Sequence, residues 1–109
     1  IALLKAHMTN GISIANPSTA VSFQVKVAVG GTAVQFPSNA LKNGVTVKAS
    51  DLNAANVFIG SSTVNNTDDG TGLGYKLKPG EAIAYAVSNS NALYINSASA
   101  GQFVYVTGN

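Results

Sequence analysis

The 109-residue chain contains no cysteine, which excludes a disulfide framework, a thiolate nucleophile and any zinc site built on sulfur. Arginine is absent too, so all the basic residues are lysines, at positions 5, 26, 42, 48, 76 and 78. Without a guanidinium fork there is no bidentate grip on phosphate or guanine. Lysines scattered along the chain make no basic patch, so nucleic acid is not an expected partner. Charge of either sign is scarce: charged residues are 9% of the chain and the net charge is +2, too little to set up a steering field. Long apolar runs are also missing. Lys5 and His7 interrupt the stretch that opens at Ile1 to Leu4, far short of the ~20 residues a membrane helix needs. A secretory leader is not expected either, because the basic residues follow the short apolar run and no longer one comes after it.

What the chain does contain is 46% hydrophobic residues set among Asn, Ser, Thr and Gly, the make-up of a turn-rich β protein. Its length suffices for one core and not for two. From Val21 to Val29 the residues VSFQVKVAV alternate strictly, with Val21, Phe23, Val25, Val27 and Val29 on one face. Gly30-Gly31 then supplies the positive φ of a tight hairpin, so Thr32 to Phe36 is expected to return beside the first strand, ended by Pro37-Ser38-Asn39. Asn43-Gly44, another hairpin dipeptide, precedes an alternating strand over Val45 to Ala49, and Val57 to Gly60 reads as a short buried strand. Ser61 to Gly74 is nearly all Ser, Thr, Asn, Asp and Gly, too polar to hold a core position, and is the longest expected surface loop.

Pro79 and Gly80 occupy the two central places of a type II turn. Ala82 to Val87 should start directly after it, with Ile83, Tyr85 and Val87 alternating with Ala82, Ala84 and Ala86, small residues that permit close approach of another surface. Leu93 to Asn96 and Gln102 to Thr107 complete the set. About seven short strands, turn signals at roughly 8 to 12 residue spacing and no convincing helix predict an antiparallel β-sandwich or barrel over residues 21–109. Residues 1–20 differ, because Leu3, Leu4, Met8, Ile12 and Ile14 are apolar without a sustained period and Asn16-Pro17 ends the segment. This is an N-terminal arm: either an extra strand on an edge of its own sheet or an extension that packs on a neighbouring subunit.

No catalytic constellation is assembled by the sequence. His7 is the sole base for a Ser or Thr nucleophile and lies in the arm, where a structural or solvent-facing role is the default. Asp51, Asp68, Asp69 and Glu81 all fall in turns, so none is held at a fixed separation for acid and base work. Asn65, Asn66, Asp68 and Asp69 supply hard oxygen ligands, yet the EF-hand spacing fails because Lys76 stands where a bidentate Glu is needed. Asn65-Asn66-Thr67 matches a glycosylation sequon, meaningful only in a secretory compartment. Gly70, Gly72 and Gly74 lack the spacing and the following helix of a dinucleotide site. The expectation is therefore no enzyme, no cofactor and no metal site. Tyr85, Tyr94 and Tyr105 lie inside strands, where core packing or interface filling is the first reading.

Four segments carry a resemblance: Asn56-Val57-Phe58-Ile59-Gly60, Leu77-Lys78-Pro79-Gly80-Glu81, Asn91-Ala92-Leu93-Tyr94-Ile95 and Ala100-Gly101-Gln102-Phe103-Val104. In this order and spacing they resemble a small β-domain of tailed-bacteriophage virion proteins, among them head-decoration and fibre-type proteins. The resemblance runs from Val21 to the C-terminus. It departs where the stretch from Thr63 to Gly74 is longer than the pattern usually allows, and the arm lies outside it. It implies an all-β, jelly-roll-like antiparallel sandwich acting as a structural piece of a virus particle, with no catalytic residues. The function it implies is a capsid decoration or cement protein on the phage head surface, bound to the major capsid protein and to itself as a homotrimer, and not to nucleic acid or membrane. Leu3, Leu4, Met8, Ile12, Ile14, Ala82, Ala84 and Ala86 are the expected partner contacts. The alternative is a host-receptor or carbohydrate-binding module of a fibre or spike, in which Asn65, Asn66, Asp68, Asp69 and Tyr75 form an exposed binding loop.

Overall fold

A computed structural model describes residues 19–109. The arm residues Leu3, Leu4, Met8, Ile12 and Ile14, and His7 with them, lie outside the described residues. Eight strands follow in order: β1 (Val21–Lys26), β2 (Val34–Gln35), β3 (Val45–Ala49), β4 (Val57–Gly60), β5 (Tyr75–Leu77), β6 (Ala82–Tyr85), β7 (Tyr94–Asn96) and β8 (Phe103–Gly108). They form two four-stranded antiparallel sheets, here sheet A with order β1-β8-β3-β6 and sheet B with order β2-β7-β4-β5. Each strand of the first half pairs with its mirror in the second half: β1 with β8, β2 with β7, β3 with β6 and β4 with β5. Over the described residues the pairing is thus nested about the β4–β5 connection. The core lies between the sheets and is built from Val25, Val27, Phe36, Val45, Val47, Val57, Ile59, Leu77, Ile95, Val104 and Val106 among others.

Alternation explains most of the strands. In β3, Val45, Val47 and Ala49 are buried while Thr46 and Lys48 are exposed, as period two requires of a sheet wet on one face. In β6, Ile83 and Tyr85 face the core and Ala82 and Ala84 face out. The turn before β6 forms as expected, with Gly80 at φ 87° and Glu81 N–H donating to Lys78 O at 2.9 Å.

Two local expectations are corrected. β1 ends at Lys26, and Val29, assigned to the inward face, is 60% exposed. Thr32 to Phe36 does not return beside β1 either, since β2 enters sheet B beside β7. Gly31 does adopt φ 83° and Thr32 N–H closes the turn on Val29 O at 3.1 Å. Nonetheless β1 is matched over six residue pairs by β8, while Val27 N–H bonds Gln102 O and Gly31 N–H bonds Ser97 O. The β7–β8 connection therefore carries the chain from one layer to the other. The turn at Asn43-Gly44 likewise joins strands of different sheets, and its Asn43 N–H is held by Asn109 O at 2.7 Å.

Candidate functional site

The two sheets present unlike outer faces. Sheet B is covered by the chain's own β4–β5 connection, residues 61–74. Phe58 points away from the core, yet it is buried, because Val64 folds back and lies over it. Val64 is only 4% exposed, a buried residue within the stretch expected as a surface loop, outside the core cluster between the sheets. The approach needs glycines: a Cβ at Gly74 would stand 2.9 Å from both Phe58 Cβ and Val64 Cγ2, and one at Gly72 would strike the Thr67 carbonyl.

Polar side chains rivet this cover in place. Asn96, buried on β7, donates from Nδ2 to Val64 O at 3.1 Å and to Gly31 O at 3.3 Å, and its Oδ1 accepts from Asn66 Nδ2 at 3.4 Å. Asn65 Oδ1 accepts from Thr67 N–H and Leu73 N–H, closing the loop on itself. Removing the Asn96 amide leaves the Val64 and Gly31 carbonyls without their donor. Asn96→Ala is therefore expected to cost about 1–3 kcal/mol, measured by urea denaturation, with faster proteolysis inside residues 61–74 than elsewhere.

Of the five residues assigned to an exposed binding loop, Asn65 and Asn66 are half-buried and spend their amides within the fold. Asp68, Asp69 and Tyr75 are exposed. Asp68 pairs with Lys76 at 3.0 Å. Asp69 Oδ1 accepts from the Thr71 hydroxyl and from Thr71 N–H, and these bonds to the charged form hold its carboxyl below the usual carboxylate range. The other two acids are also engaged locally, Asp51 beside Lys48 at 3.9 Å and Glu81 accepting from Lys78 N–H at 2.7 Å. Among the described residues no three His, Cys, Asp or Glu side chains gather as a metal site would require, and no helix is long and apolar enough to cross a membrane.

Sheet A has no such cover among the described residues. Register places Ser22, Thr107, Thr46 and Ala84 in one row of its outer face and Gln24, Tyr105, Lys48 and Ala82 in the next. All eight are exposed. At the end nearer Ala20 and Asn109 the face sinks into a shallow groove of about 530 Å³, walled by Ala20, Gly44, Thr46, Ala84, Ala86 and Thr107. Toward the other end Tyr105 stands edge-on to Phe103, with ring centroids 5.4 Å apart. Of the two roles expected for strand tyrosines, core packing and interface filling, the exposure of Tyr105 excludes the first. The signal was present: Val104 and Val106 take the inward places, which puts Phe103 and Tyr105 outside.

Ala82, Ala84 and Ala86 are all exposed, and β6 is the last strand of sheet A. Its partner edge across the sandwich is β5, the last strand of sheet B. Between them the core is incompletely closed, with Ile83, Tyr85 and Val87 half-buried and Tyr75 56% exposed. Partial burial, with the Tyr75 hydroxyl as a second cause, raises the Tyr85 hydroxyl above its ordinary pKa. The folded value being the higher one, this contribution is complete below the unfolded pKa near 10 and is lost as pH rises through the folded value. Wild-type protein is therefore expected to lose stability above pH ~10 more steeply than Tyr85→Phe, read from urea midpoints across that range.

A scan against known protein-family models gives no match to this chain, and a search of curated proteins gives none either.

Proposed function

We propose that this chain is a structural protein of a tailed-phage particle, a decoration or cement protein that holds neighbouring capsid subunits together on the head surface. The observation that carries the reading is the asymmetry of the two sheets: the chain's own loop covers Phe58 and Asn96 on sheet B, whereas the outer face of sheet A has no such cover among the described residues and presents hydroxyls, an amide, the Phe103–Tyr105 pair and two lysines, with only alanines on the outward side of β6. The nested pairing of β1 with β8, β2 with β7, β3 with β6 and β4 with β5 supports naming the sandwich a jelly roll, an architecture used in viral capsids and lectins. The motif resemblance described above points the same way.

The mechanism is additive contact. Each copy removes apolar area from water at ~25 cal/mol per Å², and many symmetry-related copies, trimers in this reading, reinforce the shell together. Stripping the protein from particles tests it. Stripped heads should break at lower temperature and under milder osmotic shock than decorated ones, and re-adding the purified protein should restore both. Equal resistance with and without the protein overturns cementing.

A second reading, a receptor- or carbohydrate-binding module of a fibre, rests on Tyr75 and Leu73, both more than half exposed. An exposed aromatic face suits a sugar ring. Glycan-array binding that is lost in Tyr75→Ala, with the fold intact by circular dichroism, would favour this reading over cement.

A further inference from the structure

We infer that the β1–β8 half of the outer face of sheet A is a binding site for an acidic saccharide, a pyranose ring that carries a carboxylate, seated on the Phe103–Tyr105 pair. The strand register assembles the site. Val104 and Val106 are buried, so Phe103 and Tyr105 project together from the outer face. Antiparallel pairing sets Lys26 opposite Phe103, and sets Gln24 and Lys48 on either side of Tyr105, where directly opposed side chains start only ~5 Å apart. Gln24, Lys26 and Phe103 line a hollow of about 290 Å³. Tyr105 is held from two directions: its ring meets Phe103 edge-on with centroids 5.4 Å apart, and its hydroxyl lies 3.4 Å from Ser50 Oγ.

The chemistry of these groups selects the ligand. One face of a pyranose ring is lined with C–H groups and packs on an aromatic ring, while its rim carries hydroxyls that both donate and accept. Gln24 offers an amide that does both, and the next row of the face continues with the hydroxyls of Ser22, Thr107 and Thr46. Charge selects the carboxylate. Of the chain's four acids, Asp68 and Asp69 belong to the connection over sheet B and Glu81 to the turn before β6. Only Asp51 meets a lysine of this face, Lys48 at 3.9 Å with both side chains well exposed, and a surface pair of that kind is weak and readily exchanged. Lys26 has no carboxylate partner among the described residues. Two ammonium groups therefore flank the aromatic pair with one acid to offset them.

A single-stranded nucleic acid also stacks on aromatic rings, but it brings a phosphate with every nucleotide and needs a basic groove along its backbone. Two lysines, no arginine and a row of hydroxyls suit one carboxylate among many hydroxyls better. The site is separate from Tyr75, which belongs to β5 of sheet B. It does not rest on cementing, and it leaves the alanines of β6, at the other side of the same face, to a protein neighbour.

The purified full-length chain tests this with no particle present. Isotopically labelled protein is titrated with methyl glucuronide, methyl galacturonide and sialyllactose, and its backbone amide signals are followed by nuclear magnetic resonance. At least one of these acids should move the signals of Gln24, Lys26, Phe103 and Tyr105 while those of Leu73 and Tyr75 stay in place. Methyl glucoside, the neutral counterpart of the first probe, should bind several-fold more weakly. Tyr105→Ala should weaken binding about tenfold. Lys26→Gln, a change at an exposed position of β1, should shrink the preference for acid over neutral sugar, as should ~0.5 M salt. The inference is overturned if none of the acids moves these signals, if the shifts gather at Tyr75 instead, or if methyl glucoside binds as tightly as its acid. It is equally overturned if oligothymidylate binds this face more tightly than every acid tried.

Discussion

Gly44→Ala is expected to lower stability by about 2–5 kcal/mol, because two penalties coincide at one atom. Gly44 has φ 91°, in the left-handed region where an L side chain costs ~1–2 kcal/mol. The added Cβ would also stand 2.1 Å from Tyr85 O and 3.0 Å from Ala86 Cα. Both are backbone atoms of or beside β6, so no side chain can swing away to make room. Relief must come from moving β6 off β3, which strains the pairing of Val45 with Tyr85 and the Asn109 N–H bond to Gly44 O. Urea denaturation measures the loss. Each kcal/mol corresponds to roughly 4–8 °C in Tm for a domain of this size, so the variant should melt well below wild type. A melting point within a few degrees of wild type would show that this corner is more pliant than its contacts imply.

Phe36→Ala is expected to cost about 3–5 kcal/mol. Phe36 is among the largest fully buried side chains and meets Phe23 edge-on, with ring centroids 6.1 Å apart and planes at 85°. Phe23 is on β1 of sheet A, whereas Phe36 follows β2 of sheet B and its N–H donates to Leu93 O at 3.0 Å. The pair therefore ties the two layers together along the β1–β2 side, opposite the open β5–β6 side. Its loss removes a ring's worth of transfer free energy and leaves a cavity that hydrogen-bonded neighbours cannot collapse to fill. Phe36→Leu, which keeps most of the volume, should cost markedly less, and the difference between the two variants measures the cavity contribution.

The sequence made legible whatever is decided within a few residues. Val45–Ala49 and Ala82–Tyr85 alternate because one face of sheet A is buried and the other wet, and that period is written in the residues themselves. The type II turn at Pro79-Gly80 is equally local. Strand partners were not legible in the same way. Gly30-Gly31 and Asn43-Gly44 announce a positive φ, which Gly31 and Gly44 adopt, but a positive φ does not say which sheet the next strand enters. That choice is made by distant matches, such as β1 with β8. Tyr75–Leu77 is three residues long, too short for any period to show.

The candidate surfaces divide along the same line. Ala82, Ala84 and Ala86 were readable as an outward face from alternation alone. The binding-loop assignment for Asn65 and Asn66 failed because polar composition says that a stretch cannot build a core of its own, and not that it stays off someone else's surface. A single valine among polar residues, with glycines at 60, 72 and 74 to admit it, was enough to cover Phe58 on the outer face of sheet B. Those glycines were the available signal, since close approach of backbone to a neighbouring surface is one of the few uses that demand glycine.

The central claim is that this chain works by being gripped in a shell, and immunogold labelling of particles with an antibody against the folded protein tests it most directly. The account predicts label in a regular array over the head, at positions repeated by the symmetry of the shell. Label confined to the tail tip, or absent from particles altogether, contradicts it.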